Sequence, residues 1–118
     1  MVNRVTLIGR LTADPELRMT AAGGQVASLR LATNEYTGKD EAGARREHTE
    51  FHTLVVFGRQ AEVAGSYLRK GRMLYADGRL RNRTWEGSDG SKHHTAEVLV
   101  DSFQMLSGRT GDERASDE

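Results

Sequence analysis

The stretch Arg59-Gln60-Ala61-Glu62-Val63-Ala64-Gly65-Ser66-Tyr67-Leu68-Arg69-Lys70-Gly71 decides how this chain folds. Ala61, Ala64 and Leu68, with Val63 and Tyr67 beside them, fall at the three-and-four spacing of one packed stripe. Gly71, just past Arg69 and Lys70, is a stop signal. The spacing predicts a helix over 59–69, and it is the only helix candidate in the chain. On either side the period is two, the period of strands. Glu50 to Phe57 alternates, with Phe51, Thr53, Val55 and Phe57 on one face and His52, Leu54 and Val56 on the other. Both faces are partly apolar, so that strand is expected to be covered on both sides. Met73 to Trp85 is a long strand, and Gly78 within it predicts a bend or bulge.

Further out, Val2 to Leu11 reads as a first strand and Val26 to Asn34 as a second. In the second, Ala27, Leu29 and Leu31 face inward, with Ser28, Arg30 and Asn34 opposite. A polar loop containing Asp14-Pro15 and Gly23-Gly24 separates the two. Tyr36 to Glu47, charged and holding Gly38 and Gly43, reads as a long mobile loop. Glu86 to Lys92 reads as a hairpin loop. His94 to Met105 is the last strand, with Ala96, Val98 and Val100 on one face. Five strands with one short helix between the third and fourth is the order of an OB-fold. That is an all-β, five-stranded Greek-key barrel, an architecture that binds oligonucleotides.

Length and composition narrow the possibilities. The 118 residues suit one domain, here 1–107, followed by an acidic C-terminal tail, 108–118, expected to be disordered. Without cysteine there is no thiol catalysis, no Cys-based zinc site and no disulfide scaffold. No apolar run approaches the ~20 residues of a spanning helix, so no membrane association is expected. Asn3, Arg4, Thr6 and Arg10 interrupt the start too often for a signal peptide, and a soluble intracellular protein is expected. Net charge is zero, yet residues 69–83 carry six cations against Asp77 alone, a local excess of five. The last ten residues carry four acids against two bases. A local basic stripe can bind polyanions on a chain that is neutral overall.

The most telling chemistry lies in Gly78 to Trp85. Arg79, Arg81, Arg83 and Trp85 share one side of the strand; Gly78, Leu80, Asn82 and Thr84 share the other. Three neighbouring guanidinium groups do little for folding, but guanidinium suits phosphate and a flat indole suits a nucleobase. A solvated strand face with a stray Trp is the alternative at this point. Phe51 and Phe57, judged by pattern alone, read as core, as strand aromatics usually do. Tyr67 and Tyr75 are assigned to core or subunit contacts. Arg30, Arg69 and Arg72 read as solvated or paired with Glu16, Glu62 or Asp77. His48 and His52 are ~13 Å apart on a strand, and His93 and His94 point to opposite faces, so neither pair suits a tetrahedral metal site. His52 fits strand packing or a subunit interface better. No nucleophile motif is present.

Seven stretches together are similar to the bacterial and mitochondrial single-stranded DNA-binding proteins, the SSB family. They are Val2-Asn3-Arg4-Val5-Thr6-Leu7-Ile8-Gly9-Arg10-Leu11 with Asp14-Pro15-Glu16-Leu17-Arg18; Leu31-Ala32-Thr33-Asn34-Glu35; Thr49-Glu50-Phe51-His52; Val56-Phe57-Gly58-Arg59; Ala61-Glu62-Val63-Ala64; Tyr67-Leu68-Arg69-Lys70-Gly71; and Gly78-Arg79-Leu80-Arg81-Asn82-Arg83-Thr84-Trp85. They run in family order across residues 2 to 106. The resemblance implies an OB-fold assembled as a homotetramer, a dimer of dimers. It implies sequence-tolerant binding of single-stranded DNA in replication, recombination and repair, with no catalysis, cofactor or metal, in the cytoplasm at the nucleoid. By position it makes Trp85, Phe51 and Phe57 base-stacking residues, and Arg4, Arg59, Lys70, Arg81 and Arg83 phosphate contacts. An aromatic common after the family's second strand falls at Thr37 here, and the adjacent Tyr36 is the substitute ligand contact. Asp101 to Leu106 is shorter than in many relatives. The chain ends at Ala115-Ser116-Asp117-Glu118, without the family's acidic tip closing in an apolar residue. Replication and repair proteins are therefore doubtful partners through that tip. The apolar first strand would leave an edge open, and pairing with a second copy is its natural cover. Two other classes use a similar surface: an OB-fold module for protein contact, and a nuclease or deaminase acting on single strands.

Overall fold

The computed structural model describes residues 1–106; the expectation for the tail at 108–118 lies outside the described residues. Seven elements follow in chain order: β1 (Val5–Leu11), β2 (Glu16–Met19), β3 (Gln25–Lys39), β4 (Arg45–Phe57), α1 (Arg59–Tyr67), β5 (Met73–Glu86) and β6 (Lys92–Met105). The sheet order is β1-β5-β6-β4-β3-β2, and β1 also pairs with β3. That second pairing closes β1, β3, β4, β6 and β5 into a five-stranded barrel, leaving β2 as a short flap beside β3. The β4–β6 contact is parallel and the other pairings are antiparallel. This is the expected OB-fold barrel, with its helix in the expected place before the second long hairpin.

The interior is aliphatic and follows the alternation in the sequence. Ala27, Leu29 and Leu31 of β3 meet Leu54 and Val56 of β4, Leu74 and Ala76 of β5, and Val98 and Val100 of β6. Leu29 stands opposite Leu54, which stands opposite Val98, so one inner row crosses three strands. Val55, on the outer side of β4, is also buried, so the middle of that strand is covered on both faces as its composition suggested. Ala96, expected with Val98 and Val100, is exposed. The helix closes one end of the barrel with Ala61, Ala64 and, just past its last turn, Leu68. Leu68 is already extended, so the helix stops two residues short of the expected Arg69.

Two departures from the sequence reading share a cause. The stretch 36–47, expected as a long loop, is mostly hairpin: β3 runs to Lys39 and β4 starts at Arg45, turning through 40–44. Asp40 holds that turn by accepting the backbone N–H groups of Ala42 and Ala44, each at 2.9 Å. The stretch after Pro15, expected as loop, contains β2. In both places the side chains are exposed on both faces, so backbone hydrogen bonds make the strand without leaving an apolar period to read. The first strand begins at Val5, not Val2. Ahead of it, the Asn3 side chain substitutes for a ladder, donating to the Leu80 carbonyl and accepting from the Leu80 N–H, both at 2.9 Å.

Two glycines permit close approaches that shape the barrel. A Cβ at Gly9 would lie 2.2 Å from the Ala32 carbonyl oxygen, where β1 closes on β3. A Cβ at Gly78 would lie 2.0 Å from the Leu99 carbonyl oxygen, and the β5–β6 register shifts between Asp77 and Gly78. The bulge expected at Gly78 is therefore present, and the extra residue is Asp101 on β6. β6 thus turns Val98 and Val100 inward on one side of it and Phe103 and Met105 on the other, while β5 keeps a single alternation. Gly78→Val is expected to destabilise the fold by about 2–4 kcal/mol, through backbone displacement at the bulge. Chemical denaturation measures it; an unchanged midpoint would contradict the close approach.

Candidate nucleic-acid interface

Beyond the bulge, β5 puts Leu80 on the side of Val98, though still exposed, and places Arg79, Arg81, Arg83 and Trp85 on the outer surface. Their cross-strand partners on β6 are Leu99, Glu97, Thr95 and His93. Glu97 in turn stands opposite Thr53 of β4, and Thr53 opposite Arg30 of β3. One outer row thus runs Arg81, Glu97, Thr53, Arg30 across four strands. On the same face Phe51 lies two residues before Thr53, and Phe57 lies four residues after it, beyond Val55. Because the inner face is filled by aliphatic residues, these rings are left outside. Phe51 is 59% exposed, Phe57 47% and Trp85 46%. The pattern-based assignment of the two phenylalanines to the core is thereby corrected, since the period-two face they occupy is the outer one.

Tyr36 lies on this surface too. In β3 the even positions from Val26 to Tyr36 face outward, and Tyr36 pairs with Glu47. Its ring is half-exposed and carries the Arg45 guanidinium 4.6 Å from its centre. Thr37 points to the opposite face and donates to the Arg46 carbonyl at 3.3 Å. Tyr36, not Thr37, is therefore the one that shares a face with Phe51.

The cations differ in how free they are. Arg83 and Arg79 make no hydrogen bond or ion pair among the described residues. Arg81 donates from Nε at 3.1 Å and from a terminal nitrogen to Glu97 Oε1. Glu97 is buried to 4% exposure, so this carboxylate is lodged in the sheet and held by Arg81. Arg4 is engaged elsewhere, forming ion pairs with Asp77 and Asp101. Arg59 opens α1, two residues after Phe57, and is exposed. Lys70 lies in the turn after α1, where its backbone N–H meets Asp14 at 2.8 Å. The structure brings Trp85, Arg81, Arg83, Phe51, Phe57 and Tyr36 onto one outer surface. Arg4 and Lys70 lie off those strands, and Arg59 lies at their margin.

Other polar groups serve the fold. Arg69 donates to the Gly65 and Leu68 carbonyls at the end of α1, which disperses the basic stripe read along 69–83. His52 pairs with Thr33 at 2.9 Å and is half-buried, in keeping with strand packing; His48 pairs with Glu50 at 2.6 Å. Tyr67, expected in core or subunit contacts, is 66% exposed and lies outside the core. Tyr75 donates to Asp77 at 3.1 Å. That bond, with burial, raises the phenol above its ordinary value of 10.0. Its stabilisation is thus complete below about pH 10 and is lost as pH rises through the raised value. Among the described residues, no three His, Cys, Asp or Glu side chains come together as metal ligands, and no helix is long and apolar enough to cross a membrane.

Glu97 and His93 escaped the sequence reading. A signal was available: Trp85–His93 and Arg81–Glu97 are each symmetric about Asp89, the middle of the hairpin turn. Counting outward from that turn gives both pairs.

A closed barrel with exposed aromatic plates and cations on one outer wall is the build of a protein that holds flexible, ring-bearing polyanions. The comparisons agree. The model of the single-strand binding protein family matches residues 2–106, and the chain belongs to that family. Among solved structures, the SSB of Plasmodium falciparum, in complex with single-stranded DNA, is 28% identical with a TM-score of 0.81. The match covers 90% of this chain and 96% of that one. A deletion mutant of the single-stranded DNA binding protein from Thermus aquaticus is 38% identical with a TM-score of 0.77. There the match covers 92% of this chain but only 52% of the other.

Arg81→Ala strands the Glu97 carboxylate and is expected to cost about 1–2 kcal/mol of stability, discounted for the half-exposed guanidinium. Arg83→Ala is expected to change it by less than about 0.5 kcal/mol. Equal effects in parallel denaturation curves would contradict the distinct roles assigned to these two residues.

Proposed function

We propose that this chain binds single-stranded DNA with little sequence preference. Nucleobases stack on Trp85, Phe51 and Phe57, with Tyr36 extending the track. Arg83, Arg81, Arg59, Lys70 and Arg4 neutralise phosphates; of these, Arg83 is the most available and Arg81 and Arg4 act from within their ion pairs. The observation that carries this reading is the placement of three half-exposed aromatic rings on one barrel wall beside Arg79 and Arg83, which have no ion-pair partner among the described residues. An exposed aromatic gains little for folding, whereas a stacked base contributes about 1–3 kcal/mol of binding. The family and the DNA complex of the Plasmodium falciparum relative support the same ligand.

The chain acts as a binder and not as an enzyme. It works as a homotetramer, a dimer of dimers, protecting and organising single strands in replication, recombination and repair, in the cytoplasm at the nucleoid. Support for self-association comes from β1. It pairs with β5 from Val5 to Arg10 but with β3 only at Arg10 and Leu11, so most of one edge is open, with Ile8 exposed beside it.

Trp85 is the sole tryptophan, so its fluorescence reports binding directly. Titration with oligo-dT is expected to quench it, with log affinity falling against log salt by about 0.7 per phosphate neutralised. Trp85→Ala, followed by anisotropy of a labelled oligo-dT, is expected to weaken binding by about 1–3 kcal/mol. No response to oligo-dT, or a response indifferent to salt, would overturn the reading.

A further inference from the structure

Trp85 is not a bare plate. The imidazole of His93, directly across the ladder, stacks on it with ring centres 4.4 Å apart and planes 19° from parallel. The indole N–H points at Thr95 Oγ1, a long contact of 3.4 Å. His93 is itself held from the hairpin turn. The Ser91 hydroxyl donates to Asp89 Oδ1 at 2.6 Å, and the Ser91 backbone N–H reaches the same oxygen at 3.0 Å. With its proton directed to Asp89, Ser91 Oγ accepts from His93 Nε2 at 3.1 Å, which assigns the proton to Nε2. These bonds from Ser91 hold the Asp89 carboxyl below its ordinary range. At the turn's start, a Cβ on Gly87 would lie 2.8 Å from His93 Nε2, so the missing side chain leaves room for the ring.

We infer that His93 is a positioning residue for Trp85, and that the relay Asp89–Ser91–His93 fixes the indole flat before any ligand arrives. The inference deepens the reading of Trp85 as a base platform and rests on it. One indole face is covered by His93, so an incoming base stacks on the opposite face alone. An exposed Trp otherwise samples several rotamers, and ordering it on binding opposes affinity. Aligning it beforehand removes that opposition. Sequence spacing places His93 beside His94, which suggested only a poor metal pair. The stack exists because the hairpin register sets His93, not His94, opposite Trp85.

The test uses the full chain, its single tryptophan and oligo-dT. His93→Ala is expected to lower the steady-state anisotropy of Trp85 in the free protein and to weaken oligo-dT binding roughly two- to tenfold, the range of one aromatic pair. His93→Phe, which keeps a ring on the indole but loses the bond to Ser91, is expected to restore both in part, to the level of Ser91→Ala. Ser91→Ala keeps both rings, breaks the relay, and is expected to shift both readouts the same way by less. Parental anisotropy and affinity in His93→Ala, with Trp85→Ala still weakened, would overturn the inference and leave the platform standing. Parental affinity in Trp85→Ala itself would overturn both.

Discussion

Closure of the sheet through β1 is the constraint on which the rest of the molecule depends. β1 pairs with β5 along its length and with β3 at Arg10 and Leu11, helped by the bare backbone at Gly9. A closed barrel has one inside, and strand alternation then allots every second side chain to it. Leu29, Leu31, Leu54, Val56, Leu74 and Val98 fill that space. What alternates with them has nowhere to go but outward. Phe51, Phe57 and Trp85 are thus exposed by the geometry that buries their neighbours, and the core's stability does not rest on them.

The same closure explains how charge is arranged outside. On a twisted barrel wall, neighbours across the ladder are fixed by register, so a guanidinium either faces a carboxylate or does not. Arg81 faces Glu97 and is drawn into the sheet; Arg79 and Arg83 face Leu99 and Thr95 and remain available. A wall built this way is basic only locally, which is how a chain of zero net charge can present a cationic track.

Much of this was readable in the chain. The Ala27-Leu29-Leu31 alternation, the Ala61-Ala64-Leu68 stripe and the glycine at the bulge each follow from a single local rule. What stayed hidden depends on strand register, which no local apolar pattern marks. The hairpin over 36–47 and the strand β2 are held by backbone bonds under polar side chains, so no apolar period marks them. Phe51 and Phe57 looked like core residues because a strand does not announce which of its two faces is the inside. Glu97 sits between Ala96 and Val98, and only the count outward from the turn at Asp89 sets it against Arg81; His93 gains its role from the same hairpin register. Local chemistry sets the elements; register decides which residues form the surface.

The most direct test of the account is where a strand touches the protein. Photocrosslinking of a bromodeoxyuridine-substituted oligo-dT, followed by peptide mass mapping, reads this at residue level. The account predicts adducts on Trp85, Phe51 and Phe57. Adducts confined to Tyr67 and Tyr75, away from that wall, would contradict it.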